Sequence, residues 1–282
     1  MKWSKKFLDI YEKPYSSFSD ELFEKVKANV ERINSQPNPI ATIAIITYND
    51  ETRLLSCIWS LSENKSKYPF EIIGINNRSK DNSEEVFKRA GVPCYFEERK
   101  GCSAARQCGL DNAKGKYCLS IDSDTIYPPD YVENVVNAFE KTNPVAVNMS
   151  YNYIYYSKKD KFKYSIYYFF RNIFNRLVSI KRPELAVRGF VFNINTELGR
   201  KVGYRINIIR GEDGSMARGL LNYGKIKFVR NNKLKPLSRT TIFEQSLIRK
   251  IFSELKNIKR YIKRPKKIID QESNIIKDLY ND

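Results

Sequence analysis

The chain has 282 residues, 41% of them hydrophobic and 29% charged, enough apolar material for one large α/β domain or two small ones. It contains no histidine, which excludes a Ser-His-Asp triad, a Cys-His nucleophile and any zinc site with an imidazole ligand. Acid–base chemistry must rest on Asp, Glu, Lys or Tyr, and a bound metal is expected to be a hard cation held by oxygen.

Residues 1–38 read as a helical extension. Leu22, Phe23, Val26, Val30 and Ile33 recur at helical spacing, and Gln36-Pro37-Asn38-Pro39 ends the pattern. Met1-Lys2-Trp3-Ser4-Lys5-Lys6 leads into charged sequence, so no secretory signal is expected there. Cys57, Cys94, Cys102, Cys108 and Cys118 form no CxxC and are expected as reduced cytosolic thiols. No run of apolar residues reaches the length needed to span a bilayer.

From Ile40 the pattern changes. Ile40–Ile46 is a short apolar run rich in β-branched residues, the mark of a strand buried on both faces. Glu51–Ser62 is predicted helical, with Leu54, Leu55, Ile58 and Leu61 on one side. Strands are predicted at Phe70–Ile75, Val92–Phe96 and Tyr117–Ile121, and helices at Asp81–Ala90 and Ser103–Ala113. Strands alternating with helices imply a mostly parallel, doubly wound α/β sheet. Ligands bind such sheets at the carboxyl ends of the strands. Three stretches stand there: Thr47-Tyr48-Asn49-Asp50, Asn76-Asn77-Arg78-Ser79 and Asp122-Ser123-Asp124.

Two nucleotide fingerprints fail. GxGxxG is absent, and Gly109–Lys116 has the wrong glycine spacing for a phosphate loop and precedes a strand instead of following one. The acid pair remains. Asp122 and Asp124 at the end of a buried strand can face one ligand, and a divalent cation is their natural counter-charge. A cap on the helix beginning near Pro129 accounts for the same residues. Further on, Arg188–Asn195 reads as an irregular strand leading to a short helix, Thr196–Val202, and Gly211-Glu212-Asp213 opens another helix.

Taken together, IATIAIITYND at 40–50, FEIIGINNRSKDN at 70–82, the stretch 101–124 ending in IDSD, and Gly211-Glu212-Asp213 resemble family 2 glycosyltransferases of the GT-A fold. The family pattern runs strand-TYN, strand-DDGSTDN, ARNxG, AxGxY, DxD and then ED, and the resemblance covers roughly residues 40–230. It implies transfer of a sugar from a nucleotide-diphosphate donor, a UDP-sugar first of all, to an acceptor hydroxyl with inversion and with Mn²⁺ or Mg²⁺. By that resemblance Thr47 and Tyr48 cradle the base, Tyr48 offering a stacking face. Asn76 and Asn77 stand where the family usually carries an aspartate that contacts uracil, and an amide oxygen can accept the same hydrogen bond. Arg106 is expected at the diphosphate or ribose. Asp124 is expected to bind the metal, and Asp122, with Ser123 between them, to contact ribose or metal. Asp213 is expected as the general base with Glu212 its neighbour, held ionised by the helix N-terminus. Gly224, twelve residues after Glu212, keeps the family spacing.

The chain departs from the family in two further places. Arg230-Asn231-Asn232 stands where a histidine often follows a strand, and the QxxRW motif of processive synthases is missing. Addition of one sugar, or a short run, is therefore expected. The implied organisation is an N-terminal extension (1–38), a catalytic domain (39–232, with a donor half at 39–125 and an acceptor half at 126–232) and a basic C-terminal segment (233–282).

The net charge of +18 is concentrated. Eight Lys/Arg against one acid lie between Ser150 and Arg182, with seven tyrosines and four phenylalanines. Twelve against two lie between Lys233 and Lys267, leaving the rest of the chain near neutral. Leu247, Ile251, Leu255, Ile258 and Ile262 there form the apolar face of a predicted basic amphipathic helix, which fits an anionic membrane surface. A lipid-linked or cell-surface glycan acceptor and a peripheral place on the cytoplasmic side of the cell membrane are the matching expectations, with no nucleic acid. The rivals are a nucleic-acid-binding protein using the two basic segments and a nucleotidyltransferase of similar fold. The latter would want a glycine-rich basic loop after the first strand, and TYND is not one.

Overall fold

The computed structural model describes residues 2–239, apart from 156, 209–210 and 231–232. A short helix, α1 (Lys5–Leu8), precedes a longer one, α2 (Asp20–Asn34). Ser19 caps α2 by accepting from the Leu22 amide, and Asp20 and Glu21 sit favourably in its first turn. Phe23, Val26, Val30 and Ile33 are buried at its inner face, in one core with Ile43, Ile45 and Leu54. The N-terminal segment is therefore packed into the body of the fold, because its helical stripe has sheet and helix to bury against.

The alternation that follows matches the predicted elements to within two residues at each end. It runs β1 (Ala41–Thr47), α3 (Glu51–Ser62), β2 (Phe70–Asn76), α4 (Ser83–Arg89), β3 (Cys94–Phe96), α5 (Cys102–Asn112) and β4 (Tyr117–Asp122). Every residue of β1 and β2 is buried, as a two-sided apolar run requires. The second half contributes β5 (Thr125–Ile126), α6 (Tyr131–Thr142), β6 (Ala146–Met149), β7 (Asn152–Tyr153) and α7 (Lys158–Lys181). Then come β8 (Phe192–Asn195), α8 (Thr196–Val202), α9 (Glu212–Leu220), β9 (Ile226–Val229) and β10 (Leu237–Ser238).

Seven strands form the main sheet in the order β3-β2-β1-β4-β8-β6-β9, and β5-β10-β7 form a small second sheet. The first four of the seven are parallel, whereas β8 runs antiparallel to both β4 and β6. The fold is thus a mostly parallel α/β sheet. Alternate residues of β1 face opposite layers: Ile43 and Ile45 belong to the core shared with α2, α3 and α6, while Ala44 and Ile46 belong to the core shared with α5 and α9. The winding reverses between β1 and β4, which opens a crevice at their carboxyl ends. Register pairs Thr47 with Asn76 and Ile46 with Asp122, so the three stretches after these strands meet there.

Among the described residues no helix is long and apolar enough to cross a membrane. The amphipathic helix expected over 247–262 lies outside the described residues, as do Asn231 and Asn232.

Candidate active site

The first wall comes from the loops after β1 and β2. Thr47 is buried, and its carbonyl accepts from the Asn77 amide at 2.9 Å. Its hydroxyl is buried with no hydrogen-bond partner among the described residues. Tyr48 next to it is 60% exposed, so an aromatic face stands open at the strand end. Asn49 takes the left-handed conformation (φ 48°) that asparagine tolerates, and its Oδ1 accepts from the Lys80 amide at 2.7 Å. That bond ties the β1 and β2 loops together.

Asn76 and Asn77 face inward. Asn76 Oδ1 accepts from the Ser79 amide at 2.9 Å, and its Nδ2 donates to Glu84 Oε2 at 3.3 Å. Asn77 Nδ2 donates to the carbonyls of Glu97 and Arg99 at 3.1 and 2.6 Å, and its Oδ1 accepts from the Gly101 amide at 3.0 Å. Both amides expected at the nucleobase are thus occupied by the protein. Asn77 in particular fixes the loop that leads into α5.

The acids cluster behind the β4 end. Ser123 donates to Asp50, Arg53 pairs with Asp50, and Thr125 Oγ1 donates to Asp124 Oδ1 at 3.2 Å. Burial, with the charges of Asp122 and Asp50 close by, pushes the Asp124 carboxyl up to about 7. Burial also raises Asp50, against the pull of Ser123 and Arg53. The Tyr11 hydroxyl donates to the Asp124 carbonyl at 2.7 Å, so the N-terminal segment touches the acid motif directly.

Arg106 connects the two halves of the chain. Its side chain, carried inward from α5, is almost wholly buried. Nη1 donates to Ser120 Oγ at 2.6 Å, and Nη2 donates to Asp122 Oδ1 at 2.8 Å. From the other side its Nε lies 3.3 Å from Asp213 Oδ1 and 4.0 Å from Glu212 Oε1. Sequence reading expected this arginine at a donor group; here its guanidinium joins three carboxylates. Gly211, at φ 88°, turns the chain into α9 and sets Glu212 and Asp213 in the first turn. Burial pushes Asp213 up to about 6, opposed by Arg106 and assisted by Glu212 and Asp122. The helix N-terminus was expected to hold this carboxylate low. Loss of water outweighs it.

Gly189 is a residue that sequence reading passed over. A Cβ there would collide with Arg106 Nη2 and lie 2.6 Å from Asp213 Oδ2, so no side chain fits without displacing the pair. Its amide also donates to Asp213. Its only signal was its place ahead of β8, in a stretch read as irregular. Ser120 and Tyr11 were likewise not singled out, because nothing local marks a side chain that acts across the sheet; Asp50 stood in the first strand-end stretch but was given no role.

Asp124, expected with Asp122 to hold a cation, is close enough to Asp122 and Asp50 to feel both charges. Among the described residues no group of three or more Asp, Glu, Cys or His side chains is arranged as a metal shell.

Comparison with known proteins places these features. The family model described as glycosyl transferase family 2 matches residues 42–198. The uncharacterized glycosyltransferase RP339 of Rickettsia prowazekii is 34% identical over 106 residues, 37% of this chain and 33% of that protein. Glycosyltransferase GlyA of Streptococcus pneumoniae is 34% identical over 118 residues, 40% of this chain and 17% of GlyA. The matched stretch thus spans a third or less of these relatives. Among solved structures, Staphylococcus aureus TarS 1–349 in complex with UDP-GlcNAc aligns over 77% of this chain and 66% of its own, with TM-score 0.54 and 14% identity. Glucosyl-3-phosphoglycerate synthase from Mycobacterium tuberculosis, in complex with Mn²⁺, UDP and glucosyl-3-phosphoglycerate, aligns over 87% and 85%. Its TM-score is 0.53 at 17% identity. At such identities the likeness is one of fold.

Proposed function

The chain belongs to glycosyl transferase family 2, and from that premise we propose that it moves a sugar from a UDP-sugar to a hydroxyl of a lipid-linked or cell-surface glycan precursor, with inversion. One observation carries this reading. Asp122, from the donor half, and Asp213, from the acceptor half, converge on one buried guanidinium, that of Arg106. That convergence supports a reading in which donor motif and base motif share one crevice.

In the proposed reaction the Tyr48 ring stacks on the base of the donor, whose diphosphate lies over the acid motif. Asp124 and Asp122 would hold Mn²⁺ or Mg²⁺, which supplies positive charge to the leaving diphosphate. The acid cluster fits such an ion: Asp124 is raised by burial and then by the charges of Asp122 and Asp50, as a buried acid short of counter-charge should be. Two protein carboxylates suffice where phosphate oxygens and waters complete the shell. The acceptor hydroxyl attacks the anomeric carbon as Asp213 takes its proton. The bond from that carbon to the diphosphate oxygen breaks, and the nucleoside diphosphate leaves with the electron pair. A base near 6 is ionised at neutral pH yet basic enough to accept the proton. Arg106 positions Asp213 and Asp122 relative to each other, and Glu212 keeps the base from becoming too acidic.

Acceptors of this class are carried by membranes, so an anionic membrane surface and a peripheral place on its cytoplasmic side belong to the same proposal. Thermal denaturation with a panel of nucleotide sugars, with and without Mn²⁺, tests the donor. Stabilisation by a UDP-sugar that requires Mn²⁺ is expected. If no nucleotide sugar stabilises the protein, while RNA or DNA binds with steep salt dependence, the transferase reading fails.

A further inference from the structure

Among the described residues, helix α7 is packed on one face and exposed on the other. Tyr164, Tyr167, Arg171 and Val178 are buried on the inner face. There Arg171 Nη2 donates to the Tyr151 carbonyl at 2.7 Å, and its guanidinium lies 4.3 and 4.6 Å from the ring centroids of Tyr151 and Tyr168. The outer face carries Phe162, Ile166, Phe169, Ile173, Leu177 and Ile180, with Phe170 beside them, all between 38% and 74% exposed. They recur every three or four residues, so they form one stripe along the helix. At about 100° per residue, Lys161 and Arg176 flank the stripe on one side and Lys163 and Lys181 on the other. The helix's single acid, Asp160, is in its first turn and is bonded to Ser157.

A stripe of large apolar side chains this long is costly in water and requires an occupant. Charge decides which one. A second copy would set Lys and Arg against Lys and Arg along both flanks. Residues 233–267, with twelve basic side chains against two acids, carry the same sign of charge as these flanks. A surface that is apolar within and anionic at its edge complements both features.

We propose that the outer face of α7 docks the protein on an anionic lipid bilayer, its phenylalanines and aliphatic side chains entering the acyl boundary and its flanking cations meeting the headgroups. Docking there orients the site. The Arg182–Glu184 ion pair pins the end of α7, and the turn Pro183–Leu185 packs on α9: the Glu184 carbonyl lies 3.0 Å from where a Cβ on Gly214 would stand. The helix carrying Asp213 is thus one turn away from the membrane contact. The inference sharpens the membrane part of the proposed function, but its test uses neither donor nor acceptor, so either can fail alone.

The test is sedimentation of the full chain with vesicles of phosphatidylcholine, alone or with about 30% phosphatidylglycerol. Binding to the anionic vesicles should be at least about tenfold stronger and should weaken as salt rises to about 0.5 M. Phe169→Ser with Ile173→Ser and Leu177→Ser should weaken it at least about tenfold at unchanged thermal stability, since all three side chains are exposed. Phe169→Trp, which keeps the apolar contact, should shift its emission to the blue with anionic vesicles and not with neutral ones. Unaltered vesicle binding by the triple variant would overturn the proposal, as would unshifted emission from a Phe169→Trp variant that sediments normally. A wild-type dimer made monomeric by the triple variant, without change in vesicle binding, would assign the stripe to a second copy instead.

Discussion

Asp213 Oδ1 and Arg106 Nε stand 3.3 Å apart, and among the described residues neither atom has a hydrogen bond. The carboxylate is held there by the guanidinium charge and by the Gly189 amide, which donates to it. Its proton affinity is therefore a balance between lost hydration, which raises it, and the guanidinium, which lowers it.

Asp213→Asn preserves size and polarity but cannot take a proton. Transfer should fall by roughly 10² or more while donor binding stays near wild type, because the missing interaction acts in the transition state. Isothermal titration with donor and initial-rate measurements separate the two. Equal loss of binding and turnover would give Asp213 a structural role, and the larger loss in Glu212→Gln would move the base to its neighbour.

The rate should depend on pH through the same group. Asp213 must be ionised to accept the proton, so kcat/KM should fall on the acid side with an apparent pKa of about 6. Removing the opposing charge with Arg106→Gln should move that limb upward. The variant should also lose about 3–5 kcal/mol of stability, since buried carboxylates are left without their partner. An acid limb that stays in place in a folded Arg106→Gln protein would refute the charge balance described above.

Asp124 offers a test through stability. A carboxyl with a higher pKa folded than unfolded takes up a proton on folding, so its contribution to stability declines as pH rises from 3.8 to about 7. Above that window the ionised Asp124 opposes folding. Asp124→Asn should accordingly raise the melting temperature of the metal-free protein at pH 8 and abolish stabilisation by Mn²⁺. In the wild type, Mn²⁺ should stabilise more at pH 8 than at pH 6, because proton and cation compete for the site. A variant that still responds to Mn²⁺ would take the cation away from this residue.

Gly189→Ala places a methyl group where Arg106 and Asp213 already stand. A displacement of about 1 Å at the base is expected to lower kcat roughly 10²-fold, with a smaller effect on donor affinity. Unchanged kcat in this variant would show that the pair tolerates movement.

The sequence by itself determined the alternating elements from 41 to 122, to within two residues. Buried parallel strands are apolar on both faces and helices carry a one-sided stripe, and both patterns are local. It also placed Thr47, Tyr48, Asn76, Asn77, Asp122 and Asp124 at strand ends, where the register of β1 with β2 and β4 gathers them. Only the tertiary structure decided what those side chains meet. Asn77 turns to the 97–101 backbone, Arg106 lies between carboxylates from both halves, and Tyr11 reaches Asp124 from a segment that reads as an appendage. The antiparallel insertion of β8 and the bare outer stripe of α7 belong to the same class. Periodicity reports that a residue is apolar and which face of its own element it shares, whereas its partner is set by chain topology, which brings together groups far apart in sequence.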